Sequence, residues 1–240
     1  MNMKNRFGRP SSNLGAFLGA KLLPIAAVLL LVTSCIVSDE LTIISILADG
    51  SADWTRFQSN IRSTEKGDRG TEELRRFVDD FEAQKDPDLD RIRAAGGKVI
   101  EARWVRKQEP YSTAVMARLP SSKALEDFLT IRDDQGNSTI QTRFTQDGSR
   151  RRLAVTVRFP EEKLPEKSAL SPEDERRQAE ADGFSRARIA VLPGRILTSS
   201  GFKVAMDGRS ALLDPREIEP MLRAGHGKAD LFIEWDTEGN

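Results

Sequence analysis

Apolar and polar positions divide the chain into stretches with different periods. Leu22 to Val32 is a continuous apolar run that includes Pro24. Leu41 to Leu47 is rich in β-branched residues and predicts a strand. Asp49-Gly50 follows as a hairpin signal, because Gly readily adopts positive φ, and Ala52 to Phe57, with Trp54, returns as the partner strand. Asn60 to Gly70 is polar and predicts a loop. From Thr71, an N-cap residue, Leu74, Phe77, Val78 and Phe81 recur at helical spacing. That aromatic stripe reads as core packing rather than a ligand box. Asp86 and Pro87 supply the N-cap and first turn of a second helix, which Gly96-Gly97 ends.

Two further strands, Val99 to Val105 and Tyr111 to Leu119, flank Pro110. Ser122 is placed to cap a short helix with Leu125, Phe128 and Leu129 inward, and Asp133 to Asn137 is a turn. The clearest hairpin comes next. Ile140, Thr142 and Phe144 alternate with Gln141 and Arg143. Asp147-Gly148 turns the chain, and Leu153, Val155, Val157 and Phe159 alternate on the return. A period of two means one buried face and one wet face. Pro160 to Ser171 is a proline-and-charge linker, and the helix expected from Ser171 has only Ala179 and Ala181 as apolar face. Ala187, Ile189 and Val191 form another alternating strand, ended by Leu192-Pro193-Gly194. Phe202, Val204 and Met206 lead into Asp207-Gly208 and a return over Arg209 to Leu213. A short helix capped by Asp214 over Pro215 to Ala224, and a last strand over Leu231 to Trp235, complete the pattern. The expected fold is α+β: mainly antiparallel sheet built from hairpins, packed with a few short amphipathic helices. It occupies residues 41–240 as one domain, with a candidate subdivision near 160–183.

Charge changes the reading of the first apolar run. Lys4, Arg6, Arg9 and Lys21 precede it and no acid does, the pattern of an export signal. The run is shorter than the ~20 residues a spanning helix needs. It ends at Val32-Thr33-Ser34-Cys35, which holds the single cysteine of the chain. These four residues resemble the lipobox of bacterial lipoproteins. The resemblance implies cleavage between Ser34 and Cys35, removal of residues 1–34, a diacylglyceryl group on the Cys35 thiol and acylation of the freed amine. Residues 36–40 would then be a tether. About two acyl chains suffice for stable anchoring. An uncleaved signal anchor is the competing reading, because Leu14 to Phe17 extend the apolar character past Lys21. Residue 36 is Ile and not Asp. In the Gram-negative lipoproteins that the signal resembles, an Asp there retains the protein in the inner membrane, so the resemblance implies an outer-membrane address for this chain, facing the periplasm.

Without residues 1–34, 33 basic residues remain against 37 acidic ones, a net charge of −4. That balance draws the chain neither to nucleic acid nor to an anionic surface by charge alone. Arg150-Arg151-Arg152 reads as a solvated edge rather than a phosphate patch. With one cysteine no intramolecular disulfide forms, so stability rests on an ordinary core.

Chemical motifs are sparse, and no catalytic residue, metal ligand or cofactor site is assigned. Asp86, Asp88 and Asp90 alternate as in a calcium loop, but Arg91 stands where the turn Gly belongs and Gly97 where the bidentate Glu belongs. His226, the single histidine, lies in the glycine-flanked stretch Gly225-His226-Gly227 and reads as an exposed loop residue. There is no G-x-S-x-G and no P-loop. Carboxylates are too numerous for sequence to single out a catalytic pair. The expected function is a non-catalytic binding or scaffolding module on the bacterial envelope, for a lipid, another apolar ligand or a protein partner. The alternative is a lipid-anchored hydrolase using carboxylates.

Val191 to Gly201, with Pro193-Gly194, Ser199-Ser200 and Gly201, resembles a stretch of the LppM-like bacterial lipoproteins. In that group a Trp-containing strand follows, for which Trp235 is the counterpart, and a strand with a D-G turn opens the domain, as Leu41 to Gly50 does here. The resemblance implies an envelope lipoprotein with an α+β domain and a part in lipid or lipoglycan handling. It carries over no binding residue.

Overall fold

Alternation at Ile44, Ile46, Ala52 and Trp54 closes the first hairpin, β1 (Ile36–Leu47) against β2 (Ala52–Ser63), with Ile44 opposite Trp54 and Ile46 opposite Ala52. The computed structural model describes residues 36–133, 138–160, 185–213 and 215–238. Asp49 fixes the turn by accepting from the Ser51 amide at 2.9 Å and the Ser51 hydroxyl at 2.6 Å. After it come helices α1 (Asp68–Glu82) and α2 (Pro87–Ala94), then β3 (Lys98–Arg106), β4 (Tyr111–Leu119), α3 (Ser122–Leu129) and β5 (Ile131–Arg132). The hairpin β6 (Ser138–Asp147) and β7 (Arg150–Arg158) follows. The chain then forms β8 (Ser185–Leu192), β9 (Arg195–Ser200), β10 (Phe202–Val204), β11 (Ser210–Leu213), a helix here called α4 (Pro215–Ala224), and β12 (Lys228–Asp236).

Two sheets result. The first runs β10-β11-β8-β1-β2-β4-β3 and the second β5-β6-β7-β12-β9. Among the described residues every pairing is antiparallel except that of β1 with β8. The α+β, mainly antiparallel architecture is therefore the one the hairpins predict. Side chains of both sheets, among them Ile44, Trp54, Ile189, Leu153, Val155, Ile233 and Trp235, join one core. α3 bridges them. Phe128 meets Trp54 of the first sheet edge-on at 5.7 Å, while Thr130 Oγ1, just past the helix, accepts from the Thr142 amide of β6 at 3.2 Å. Glu126 likewise takes the Phe144 amide, so side chains satisfy the edge donors of β6 that the two-residue β5 cannot reach.

The Pro193-Gly194 to Gly201 stretch acquires a physical reason. The chain leaves the first sheet after β8, runs through the second as β9 and returns to the first as β10. Gly194 allows the exit, since a Cβ there would lie 2.8 Å from the Asp236 carbonyl oxygen. Gly201, at φ +71°, allows the return, since a Cβ would lie 2.2 Å from a Leu231 methyl.

Several expectations need correction. Residues 36–40 are not a tether but the start of β1, with Ile36 opposite Ser63 and Val37 opposite Arg62. The polar Ser38-Asp39-Glu40 and a bulge between Val37 and Asp39 disguise the strand. Correspondingly, β2 runs on to Ser63 through part of the expected loop. α1 starts at Asp68 with Gly67 as N-cap, and Thr71 instead donates its hydroxyl to the Gly67 carbonyl at 3.3 Å. Ser121, not Ser122, caps α3, accepting from the Ala124 amide at 3.2 Å. Arg151 is no solvated edge: it is buried, with its guanidinium donating to the carbonyls of Leu47 (3.2 Å) and Ala48. The turn residues 134–137, the linker and polar helix expected within 161–184, with the subdivision there, and the Asp214 cap lie outside the described residues.

Candidate functional site

The alternation of β2 puts Ala52, Trp54 and Arg56 on one face and Asp53, Thr55 and Phe57 on the other. The first set faces the core, so Arg56 is carried into it, with 4% of its surface exposed. A buried guanidinium needs acceptors. α2 brings them. Asp86, the N-cap, accepts from the Asp88 amide at 2.8 Å, and Asp88 sits in the first turn. Arg56 Nη1 donates to Asp88 at 2.6 Å and to Asp86 at 3.3 Å, and Nη2 closes on the other Asp86 oxygen. Asp88 also pairs with Arg91 at 3.2 Å. Arg91 lies over the Phe128 ring, 4.9 Å from its centroid, and donates to the Phe128 carbonyl. The cluster thus ties α2 to the sheet on one side and to α3 on the other.

Cross-strand neighbours extend this polar layer. Thr42 stands opposite Arg56, and Glu40 opposite Gln58. Thr113 on β4 is also opposite Gln58. Glu40 accepts from the Thr42 hydroxyl at 3.2 Å and from Gln58 at 3.4 Å, and Thr113 donates to Gln58 at 3.2 Å. Glu40, Asp86 and Asp88 face Arg56 and Arg91, three acids against two cations. Burial pushes the Glu40 carboxyl up, against the pull of Arg56, and the neighbouring Asp88 and Asp86 push the same way. Burial also raises Asp88, again against Arg56. Burial alone would lower Arg56, but Asp86 and Asp88 together outweigh it and hold the cation firmly charged. Within the layer and around it, Arg56 Nε, Trp54 Nε1, Trp104 Nε1 and Ser185 Oγ are buried and meet no hydrogen-bond partner among the described residues. In chemical terms the arrangement holds an ion network with a Glu40 carboxyl of raised proton affinity at its edge.

The residues singled out from sequence do not converge on this place. Ser34 and Cys35 lie outside the described residues, directly before β1. His226 is exposed, in the turn between α4 and β12, at φ 50°. Among the described residues, no group of three or more His, Cys, Asp or Glu side chains is placed to hold a metal ion. Asp86 and Asp88 are engaged by the Arg56 guanidinium. The Arg56 layer itself escaped the sequence reading, although a signal was available. An arginine in phase with Ala52 and Trp54, with a phenylalanine out of phase beside it, inverts the expected pattern.

Comparisons with known proteins add little. No protein-family model matches the chain, and no curated protein matches it. Among solved structures it is similar to the folded domain of the Mycobacterium tuberculosis protein LppM, determined by NMR. The superposition covers 83% of this chain and 89% of that one at 10% identity and a TM-score of 0.38. At that similarity the likeness assigns no function.

Proposed function

We propose that this chain is a bacterial envelope lipoprotein whose folded part is a non-catalytic binding or scaffolding module. Residues 1–34 act as the export signal, Cys35 carries the lipid, and the domain begins at once with β1. The observation that carries the reading is the junction: an apolar run ends at the single cysteine of the chain, and the next residue, Ile36, is already in a strand. Among the described residues no helix is long and apolar enough to cross a membrane. In a Gram-negative host the absence of a retaining Asp at position 36 sends the protein to the outer membrane, facing the periplasm. The partner is a lipid, another apolar ligand or an envelope protein. Metabolic labelling with a fatty-acid analogue tests the anchor. Wild type takes the label and Cys35→Ala does not, while its precursor accumulates. Equal labelling of the two sinks the proposal. Recovery of the protein only with inner-membrane markers on a sucrose gradient sinks the outer-membrane address.

A second reading, a hydrolase using carboxylates, has one observation in its favour: Glu40 and Asp88 lie in one buried layer with raised proton affinity. Against it stands the engagement of Asp88 by both Arg56 and Arg91. Turnover of ester or glycoside substrates that Glu40→Gln abolishes, with the fold intact, would establish the hydrolase.

A further inference from the structure

Exposed apolar side chains gather where the chain crosses between the sheets. Of the ten large apolar side chains left exposed among the described residues, five fall within residues 192–212. Met206 is fully exposed, and Leu197 and Leu192 are 50% and 42% exposed. Backbone hydrogen bonds bring them to one place. The β10–β11 turn, which carries Met206, is closed by the Ala205 amide on the Ser210 carbonyl at 2.8 Å and the Gly208 amide on the Ala205 carbonyl at 3.0 Å. The Ile196 amide, beside Leu197, donates to the Gly208 carbonyl at 2.7 Å. The Val191 amide, beside Leu192, donates to the Arg209 carbonyl at 2.9 Å. Asp207 holds the turn in shape, accepting from the Arg209 amide at 2.9 Å and the Ser210 amide at 3.0 Å. Met206 therefore stands out from a braced turn.

Cations surround this tip. Arg195, Lys203 and Arg209 are exposed, and among the described residues no carboxylate pairs with any of their side chains. The Arg195 stem runs beside the turn, since a Cβ on Gly208 would lie 3.5 Å from Arg195 Nε. The nearby acids are taken. Asp207 is held by its own turn and by Arg188 at 3.1 Å. Asp236, opposite Arg195 in the β9–β12 register, accepts from the Glu238 amide at 2.9 Å. Ile100 and Val105, each 56% exposed, lie far from these cations, on β3 at the opposite edge of the first sheet from β10. We infer that the β10–β11 turn dips into an anionic phospholipid surface, with Met206 among the headgroups and Arg195, Lys203 and Arg209 on lipid phosphates. A single protruding apolar tip offers a folded protein little area to bury, whereas a fluid headgroup layer closes around it. The unpaired cations find their counter-charge in the phosphates, each worth ~fivefold in binding. The inference deepens the lipoprotein reading and rests on it only for the presence of the bilayer.

The test uses the mature lipidated protein with vesicles of phosphatidylcholine, alone or mixed with phosphatidylglycerol. Met206→Cys and, as a control, Ile100→Cys each carry one environment-sensitive fluorophore. On the mixed vesicles the emission at position 206 shifts to the blue, bilayer-embedded bromolipid quenches it and aqueous iodide does not. Position 100 stays open to iodide. Adding Arg195→Gln, Lys203→Gln and Arg209→Gln lowers the inserted-to-free ratio at position 206 on the order of a hundredfold. Iodide quenching at position 206 on the mixed vesicles overturns the inference. An equal blue shift with and without the three cations overturns it too. So does shielding of position 206 without vesicles that grows with protein concentration, because a second copy then covers the tip. Flotation with phosphatidylcholine alone reports the anchor separately. Protein that floats there, yet keeps position 206 in water on the mixed vesicles, retains the anchor and refutes the tip. Protein that does not float there, yet inserts position 206 on the mixed vesicles, refutes the anchor and retains the tip.

Discussion

Arg56 offers the sharpest test of how this domain is held together. Arg56→Met keeps much of the side-chain volume and removes the charge. Asp86 and Asp88, with side chains 16% and 10% exposed, then face an apolar group. Breaking a buried ion network at one member costs ~3–5 kcal/mol, because the remaining charge stays desolvated. That is a large share of the ~5–15 kcal/mol by which domains are stable. Asp88→Asn should cost much less. Arg56 keeps Asp86, and burial already favours a neutral group at 88. In the double variant Arg56→Met with Asp88→Asn, part of the single-variant loss is recovered, so the two changes are non-additive. Urea melts of the four proteins at pH 7.5, read with their m-values, give the cycle. At pH 4 the Arg56→Met penalty shrinks, because Asp88, raised by burial, takes up a proton. If Arg56→Met costs under ~1 kcal/mol at pH 7.5, as a surface pair would, the buried network does not exist in solution.

Glu40→Gln tests the raised carboxyl at the layer's edge. A carboxyl raised in the fold contributes stability that is fully present below its unfolded pKa and is lost as pH rises through its folded pKa. Glu40→Gln should therefore melt higher than wild type at pH 8 and match it near pH 4; a difference largest at pH 4 would reverse the sign. Gly201→Ala and Gly148→Ala both place a Cβ at positive φ, but only the first meets a neighbour, the Leu231 methyl at 2.2 Å. Both pay the ~1 kcal/mol or more of left-handed backbone, and thermal melts should show Gly201→Ala losing clearly more; equal losses would mean the β9–β10 crossing is looser than described. Val155→Asp buries a charge at a site 1% exposed and should cost several kcal/mol. Thr156→Ser, which keeps the hydroxyl that donates to Asp230 at 2.6 Å, should stay within ~1 kcal/mol of wild type in a urea melt.

How much of this was legible follows from what each residue's neighbours in sequence can report. Hairpins were legible because turn chemistry and alternation are local. Asp147-Gly148 and the phases of Ile140 and Val155 foretell the register in which Ile140 meets Val157 and Thr142 meets Val155. The sheet crossing at Pro193-Gly194 was not, because the reason for its glycines lies in Asp236 and Leu231, some thirty or more residues away. Strand ends failed for a related cause. Ser38, Asp39 and Glu40 look like a tether in isolation, yet β2 and β8 receive them from both sides, Asp39 and Glu40 opposite Ser59 and Gln58, and Glu40 opposite Ser185. Arg56 and Phe57 stand between these cases. Their exchange of faces was visible in the alternation of Ala52 to Phe57, but its meaning needed two partners that local pattern does not show. Arg56 is tolerable inside only because α2 presents Asp86 and Asp88, 30 and 32 residues later in the chain. Phe57, on the opposite face, is left 41% exposed. The same inversion therefore yields the tie between α2 and the first sheet and an exposed aromatic on that sheet's outer face, and a sequence that merely needed a stable sheet would have had reason to place the two residues the other way round.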